Sequence, residues 1–424
     1  MKTIRKRVIL LILTLMLVLT AAPLAAAEDQ VVANTQNAKD LTSYLKLNAT
    51  NHNKMANRVL SAKIGEAETF TPYERFYAYW DTARVTPGYL CIQWNVLPID
   101  VELLQMDSSG AILSHRQVGL EYDTIEKLLP EAQKVAFITG RSGMEIIRLA
   151  LYSDGVLPEP FVAWKPTPEH LDYLIVSTHP DDDTLFMGGV IPLYGVDKGY
   201  VGTVAYVTTP GRKRVQEALL GAWTMGTHYM PIFLDYSDIA DVAKYKTAYA
   251  YRFLPESVTL TLVRMFRQYR PLVVFTHDVN GEYGHWQHKI VSASVIEASR
   301  LAGDESYDPI SLTQYGAWQV QKCYVHLYEE DQLVLDVNTP LASLGGKTAL
   351  AVAKEAFLRH TSQQGRGQWV QTDTDKYPLS RFGMAYGAVE AGTDVFDNIN
   401  PQLLSTAPAA ATETEPEPTP AENQ

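Results

Sequence analysis

Two short stretches of this 424-residue chain hold residue types that do chemistry. The first is Ser177-Thr-His-Pro-Asp-Asp-Asp-Thr-Leu-Phe-Met-Gly-Gly189. His179, Asp181, Asp182 and Asp183 crowd into five positions, which cannot be buried without a metal ion or charge partners. Pro180 stiffens the turn between His179 and the acids, and Gly188-Gly189 allows the backbone a close approach. The plainer reading is an acidic, solvated turn with Asp183 capping a helix. The second stretch is Gly281-Glu-Tyr-Gly-His-Trp-Gln-His-Lys289. His285 and His288 stand at i, i+3 at the start of a predicted helix and share a face. Alone they would read as surface histidines. Both stretches follow an apolar strand, however, so two strand ends bring histidines and carboxylates to one sheet edge. Two His and one carboxylate with an open fourth position is a recurrent catalytic zinc set.

The elements that must position these residues follow from hydrophobic patterning. From Leu171 onward strands and helices alternate. Strands are predicted over Leu171–Ser177, Tyr200–Thr208, Met230–Asp235 and Leu272–Thr276, and helices over Thr184–Lys198, Val215–Gly226, Ser257–Tyr269 and His285–Ala302. This alternation predicts an α/β fold, with a Rossmann-like, mostly parallel sheet covered by helices on both faces. Ligands of such sheets bind beyond the carboxyl ends of the strands, where the two polar stretches fall. Upstream, short apolar runs such as Gly88–Trp94, Val101–Met106, Lys134–Thr139 and Met144–Tyr152 are separated by Gly, Pro and Asp turns and predict an all-β sandwich. In the last run Ile147, Leu149 and Leu151 share a face at period two. Pro-rich segments at Leu157–Pro160 and Lys165–Pro168 mark the linker. The expected organisation is a leader over 1–27, a sandwich over 28–166, an α/β domain over 167–404 and a disordered Pro/Glu-rich tail over 405–424.

At its two polar stretches the chain resembles the PIG-L/LmbE-like deacetylases, whose signatures are His-Pro-Asp-Asp and a later His-x-x-His. Arg214-Val-Gln-Glu217 resembles that family's Arg-x-x-Glu, and His360-Thr-Ser-Gln363 its His-x-x-Gln. The resemblance spans about Leu171 to Gln364. It implies a zinc enzyme that removes N-acetyl groups from glucosamine-containing substrates, with one divalent ion held by His179, Asp182 and His288. It implies Asp181 as general base, His285 as the protonated group that stabilises the oxyanion or returns a proton, and Arg214 as a substrate contact. Zinc in such a site activates water and polarises the amide carbonyl. Two positions depart from the family pattern: Asp183 stands where Glu is usual, and Gln287 where Asp is frequent. Neither is an assigned ligand, so activity is expected to survive. The sandwich resembles galactose-binding-like, discoidin-type domains in its closing strand Ile146-Ile-Arg-Leu-Ala-Leu-Tyr-Ser-Asp-Gly155 and the following Pro and Trp164.

Composition narrows the partners. The formal net charge of −12 argues against nucleic acid, since little here would neutralise phosphates. Lys2, Arg5, Lys6 and Arg7 precede an apolar run from Val8 to Leu19 and the small residues Ala25-Ala-Ala27, a pattern of a cleaved bacterial export leader rather than a stable membrane anchor. Cys91 and Cys323 lie in separate apolar runs and are expected as buried free thiols. Among the other histidines, His277 could line the site or be structural, and His326 is expected to be structural. The reading that results is a secreted, metal-dependent N-deacetylase of an N-acetylated sugar or glycan. The rival from another class is a non-catalytic extracellular glycan-binding protein on a hydrolase scaffold, which the complete set of five His and Asp residues disfavours. A metallo-hydrolase for small thiol or lipid conjugates is disfavoured by export and by the added sandwich.

Overall fold

The computed structural model describes residues 36–49, 68–98, 100–119, 123–158, 164–239 and 253–405. The expected leader over 1–27, part of the expected linker and the tail beyond 405 lie outside these described residues. Among them, no helix is long and apolar enough to cross a membrane.

The front of the chain forms two antiparallel sheets. One has the order β1-β3-β8-β5-β6, with β1 Lys46–Ala49, β3 Arg75–Tyr79, β5 Val101–Met106, β6 Ile112–Gln117 and β8 Lys134–Thr139. The other has the order β2-β9-β4-β7, with β2 Glu68–Phe70, β4 Tyr89–Val96, β7 Asp123–Lys127 and β9 Met144–Tyr152. Alternate residues of both sheets meet in one core that includes Phe76, Leu90, Trp94, Phe137 and Leu149. The period-two face expected along β9 is interrupted. Gln93 pairs with Arg148 and Trp94 with Ile146, so Ile147 is an extra residue in its strand. This bulge puts Met144 and Ile146 in the core together with Leu149 and Leu151, and leaves Ile147 out.

The second part holds a seven-stranded mixed sheet of order β12-β11-β10-β13-β14-β16-β15. Its strands are β10 Tyr173–Ser177, β11 Gly202–Thr208, β12 Ile232–Tyr236, β13 Val273–Thr276, β14 Lys322–His326, β15 Gln332–Val334 and β16 Arg381–Gly387. The pairings from β12 to β14 are parallel, and β16 and β15 add antiparallel strands at one edge. The helices are α1 Asp182–Phe186, α2 Arg212–Met225, α3 Pro255–Tyr269, α4 Trp286–Leu301, α5 Pro309–Tyr315 and α6 Ala349–Phe357. They pack on both faces. Tyr173 and Ile175 of β10 join α1 and α6 in one core, while Leu174 and Val176 join α3 and α4 in the other. The stretch Thr184–Lys198, predicted as one helix, is instead the short α1 and a π-helical segment over Ile191–Asp197. The break falls at Gly188-Gly189, where a Cβ on Gly188 would lie 2.7 Å from Ala353 Cβ on α6.

β10 is flanked by β11 on one side and β13 on the other, so the chain winds away from it in both directions. At such a reversal the loops leaving the strand ends part and open a crevice. The loop after β10 and the loop after β13 both enter it. The sandwich meets this part through α2. Leu97, just past β4, packs on Val215 and Leu219. Gln216 Nε2 donates to Trp94 O at 2.9 Å, and Arg212 Nη1 to Leu97 O at 3.2 Å.

Candidate active site

The loop after β10 is held by its own backbone geometry. Asp181 has φ 126°, a conformation that non-glycine residues rarely adopt. Its carbonyl accepts hydrogen bonds from Thr184 Oγ1 at 2.7 Å and from Thr184 N at 3.0 Å, and so starts α1. This arrangement buries Asp181, Asp182 and Asp183 together, with none of them solvated. The acidic stretch is therefore not a surface turn.

Three ligand-type atoms converge beside it. Asp182 Oδ2 lies 2.9 Å from His179 Nδ1 and 3.1 Å from His288 Nε2, and those two nitrogens are 3.1 Å apart. Each histidine is oriented from behind. Gln287 Oε1 stands 3.2 Å from His179 Nε2, and Glu282 Oε2 stands 2.7 Å from His288 Nδ1. Both partners are acceptors, so each outer nitrogen carries a proton, and the inner nitrogen is the one that can turn a lone pair to a cation. With both inner nitrogens deprotonated, two lone pairs and a carboxylate oxygen at this spacing call for a cation among them. The spacing is close to the edge of about 3.3 Å that a tetrahedral ion with arms of ~2.0–2.1 Å requires. The electrostatics show the same demand for positive charge at this point. Burial opposes a charge on His288, but Asp182 and Glu282 on either side outweigh it and push the group up to about 10. Asp182 is held well below the usual carboxylate range against its burial, by His288 and then His179.

Two other groupings are geometrically close enough to hold an ion: His179, His285 and His288, and Asp182, His277 and His288. His277 is committed elsewhere. Its Nε2 accepts the Thr178 N–H at 2.9 Å and its Nδ1 donates to Glu282 at 2.9 Å. His285 has no partner for its buried Nδ1, and its ring centroid lies 4.6 Å from that of His288. Burial first, then His288 and His179, push it down to about 3. This favours the neutral imidazole, which offers an N–H donor, over the protonated group expected from the sequence.

Asp181 sits on the other side of the cluster. Arg214, from the start of α2, places Nη2 2.8 Å from Asp181 Oδ1 and also donates to Pro180 O. Burial, and next Asp182, raise Asp181 well above the usual carboxylate range, with Arg214 working against them. A carboxylate so raised is a better proton acceptor. Arg214 thus holds the expected base in place; its side chain is only 16% exposed. One turn on, Glu217 accepts from Thr361 Oγ1 at 2.7 Å and Ser362 Oγ at 2.6 Å. The Arg-x-x-Glu pair of α2 therefore anchors both the Asp181 loop and the loop after α6. His360 in that loop is buried against Gly221, with neither ring nitrogen hydrogen-bonded.

The structure brings His179, Asp181, Asp182, His285, His288 and Arg214 into one site. Asp183 reaches Tyr206 of β11, whose hydroxyl donates to it at 2.9 Å, and burial raises Asp183 to about 7. Gln287 holds His179. The residue that sequence reasoning left without a role is Glu282. Fully buried, it accepts from Nδ1 of His277, His288 and His326 at 2.7–2.9 Å. Its signal was an acid set between turn-forming glycines just before a histidine pair. Gly281 is required there: its φ is 66°, and a Cβ would lie 2.4 Å from His285 O. His326 is structural, its Nε2 lying 3.0 Å from Pro378 O. Cys91 and Cys323 are free and buried, and burial raises both thiols to about 12.

Comparison with known proteins places this site in context. Residues 174–299 match the family model PIG-L, GlcNAc-PI de-N-acetylase. The chain is similar to a 1D-myo-inositol 2-acetamido-2-deoxy-alpha-D-glucopyranoside deacetylase of Rhodococcus opacus, 29% identical over 186 residues, which are 38% of this chain and 62% of that protein. It is 23% identical over 260 residues to a deacetylase of the same description from Salinispora arenicola, covering 52% of this chain and 84% of the relative. The chain thus spans less than two thirds of the Rhodococcus protein. Among solved structures, N,N'-diacetylchitobiose deacetylase from Pyrococcus horikoshii is similar at 20% identity and a TM-score of 0.35, over 46% of this chain and 70% of that one.

Proposed function

We propose that this chain is a secreted, zinc-dependent N-deacetylase that hydrolyses the N-acetyl group of glucosamine-type residues in extracellular or cell-wall glycans. The observation that carries the reading is the meeting of His179 Nδ1, Asp182 Oδ2 and His288 Nε2 within 3.1 Å, with Asp181 held beside them by Arg214. Two imidazoles and one carboxylate suit zinc among the common divalent ions. Bound there, zinc supplies Lewis-acid polarisation of the amide and acidifies water. Asp181, desolvated and oriented, takes the proton of the attacking water. His285 donates a hydrogen bond to the oxygen that gains charge. Asp181 then returns its proton to the leaving amine.

The substrate class rests on the similar proteins, which are deacetylases of glucosamine derivatives by description, and on the export-type leader in the sequence. The sandwich, read as a galactose-binding-like module, fits a role in holding the domain against polymeric glycan. In the test, acetate and a new primary amine should appear in equal amounts from N-acetylated sugars, and both should stop with a chelator. Release of free sugar without acetate, dependent on Asp181, would mean a different hydrolase. No turnover, with glycan binding retained, would favour the non-catalytic binding protein.

A further inference from the structure

β15 ends the seven-stranded sheet, and among the described residues no strand pairs with its outer side. It lies beyond residues 174–299, which match the family model. Leu335 N–H donates to Ser380 O at 2.8 Å, in register with the pairing of Leu333 to Phe382. In an antiparallel pair, alternate residues face the partner strand. Leu333 and Leu335 thus give their backbone groups to β16, while Gln332 and Val334 turn theirs outward. Leu333 and Leu335 are buried in the core, whereas Val334 is 65% exposed. Edge strands are ordinarily guarded by Lys or Pro, and Gln332-Leu-Val334 carries neither.

Two cavities meet at this edge. One, of 560 Å³, is lined in part by Tyr328, Glu329, Val334 and the cross-strand neighbour of Val334, Arg381. The other, of 270 Å³, is lined in part by Leu193, Tyr194, Leu335 and Leu341, on the face where Leu333 and Leu335 join the core. Leu333 and Val334 line both. A strand added here would bond through its main chain to Gln332 and Val334. Its side chains, alternating between faces, would enter the two cavities in turn. The smaller cavity has aliphatic walls and suits a branched aliphatic side chain. Beside the larger one Glu329, Glu330 and Asp331 are all exposed, and the base in its lining is Arg381. Three adjacent carboxylates favour a cationic partner, as does the formal net charge of −12.

We infer that the outer edge of β15 docks an extended polypeptide segment of another protein, one in which aliphatic residues alternate with basic ones. A second copy of this chain is a poorer occupant: antiparallel self-pairing about Leu333 would set Glu330 against Asp336, like charges directly opposed.

The probe is a labelled, acetylated peptide of alternating Lys and Val, titrated onto the full chain and followed by fluorescence anisotropy. Its counterpart alternates Glu and Val and should bind at least about tenfold more weakly. Two further peptides carry N-methyl groups on every Lys or on every Val. Only one set of amides can face β15, so one of the two should lose about tenfold or more and the other should keep most of its affinity. Val334→Pro removes an N–H that bonds nothing in β16. The thermal midpoint should therefore hold while binding of the Lys peptide falls by about tenfold. If that variant fails to fold, the methylated pair decides the question on the wild type. No binding by the wild type, equal binding of the Lys and Glu peptides, or full affinity in both methylated peptides overturns the inference. So does undiminished binding by folded Val334→Pro. A concentration-dependent dimer that Val334→Pro dissolves would make the occupant a second copy. Binding that appears only once residues 406–424 are removed would make it the chain's own tail. Either result also overturns the inference.

Discussion

Glu282 Oε2 lies 2.7 Å from Nδ1 of His288, with both side chains fully buried. Although burial opposes its ionisation, His277, His288 and His326 around it hold Glu282 well below the usual carboxylate range. One carboxylate thus sets the tautomer of a candidate ligand and ties the loop after β13 to β14. Outer partners of this kind are worth about 10–100-fold in metal affinity.

Replacing Glu282 by Gln should therefore weaken zinc binding by about 10–100-fold, because an amide accepts less strongly from an imidazole N–H and cannot serve three histidines. Competition against a chelator of known affinity reads the change directly. Unaltered zinc affinity in a folded E282Q protein would show that His288 does not depend on this carboxylate for its orientation.

Asp181→Asn should keep the metal and lose about 10²–10⁴ in turnover, the usual loss when a general base is removed. Metal analysis and acetate release are measured on the same preparation. If the variant instead loses the metal, and regains residual turnover when metal is restored, then the roles of Asp181 and Asp182 are exchanged.

Arg214 separates two roles by kinetics. It contacts Asp181 at 2.8 Å and is largely buried, so its main work is to orient the base. Arg214→Ala should lower kcat by about 10–100-fold with a smaller change in KM. A rise in KM at unchanged kcat would make Arg214 a substrate contact, the role implied by the family pattern.

Leu97 carries the contact between the sandwich and α2, the helix that bears Arg214 and Glu217. It is fully buried. Leu97→Ala should cost about 2–5 kcal/mol, the usual range for a buried leucine truncation, read as a lower denaturation midpoint. An unchanged midpoint would show that the sandwich lends α2 no stability. For the same reason, deleting the sandwich should expose Val215 and Leu219 and weaken even activity on small substrates, to a degree that Leu97→Ala anticipates.

Much of this was legible in the sequence. The alternation of strands and helices after Leu171 follows from local periodicity, and hydrophobic patterning needs no tertiary information to be read. The crowding of His179, Asp181 and Asp182 within four positions, and the i, i+3 spacing of His285 and His288, are likewise properties of the chain alone. Their types exclude an ordinary apolar core and call for a cation. The bulge at Ile147 was hidden because an extra residue in a strand is decided by pairing across the sheet, not by the strand's own pattern. That Gly188 has no room for a side chain depends in part on α6, which comes more than 150 residues later and packs against it.

The site's finer assignments belong to tertiary structure alone. Sequence supplied the donor types, but which nitrogen of each imidazole faces inward depends on what stands behind the ring, and Gln287 and Glu282 reach those positions only through folding. His277 is as good a ligand by type as His288, and it is withdrawn by one backbone N–H from Thr178. His285 was expected to carry a proton, and burial, His288 and His179 disfavour that charged form. A side chain's charge and role are set by the dielectric and the partners around it, and long-range packing brings those partners together.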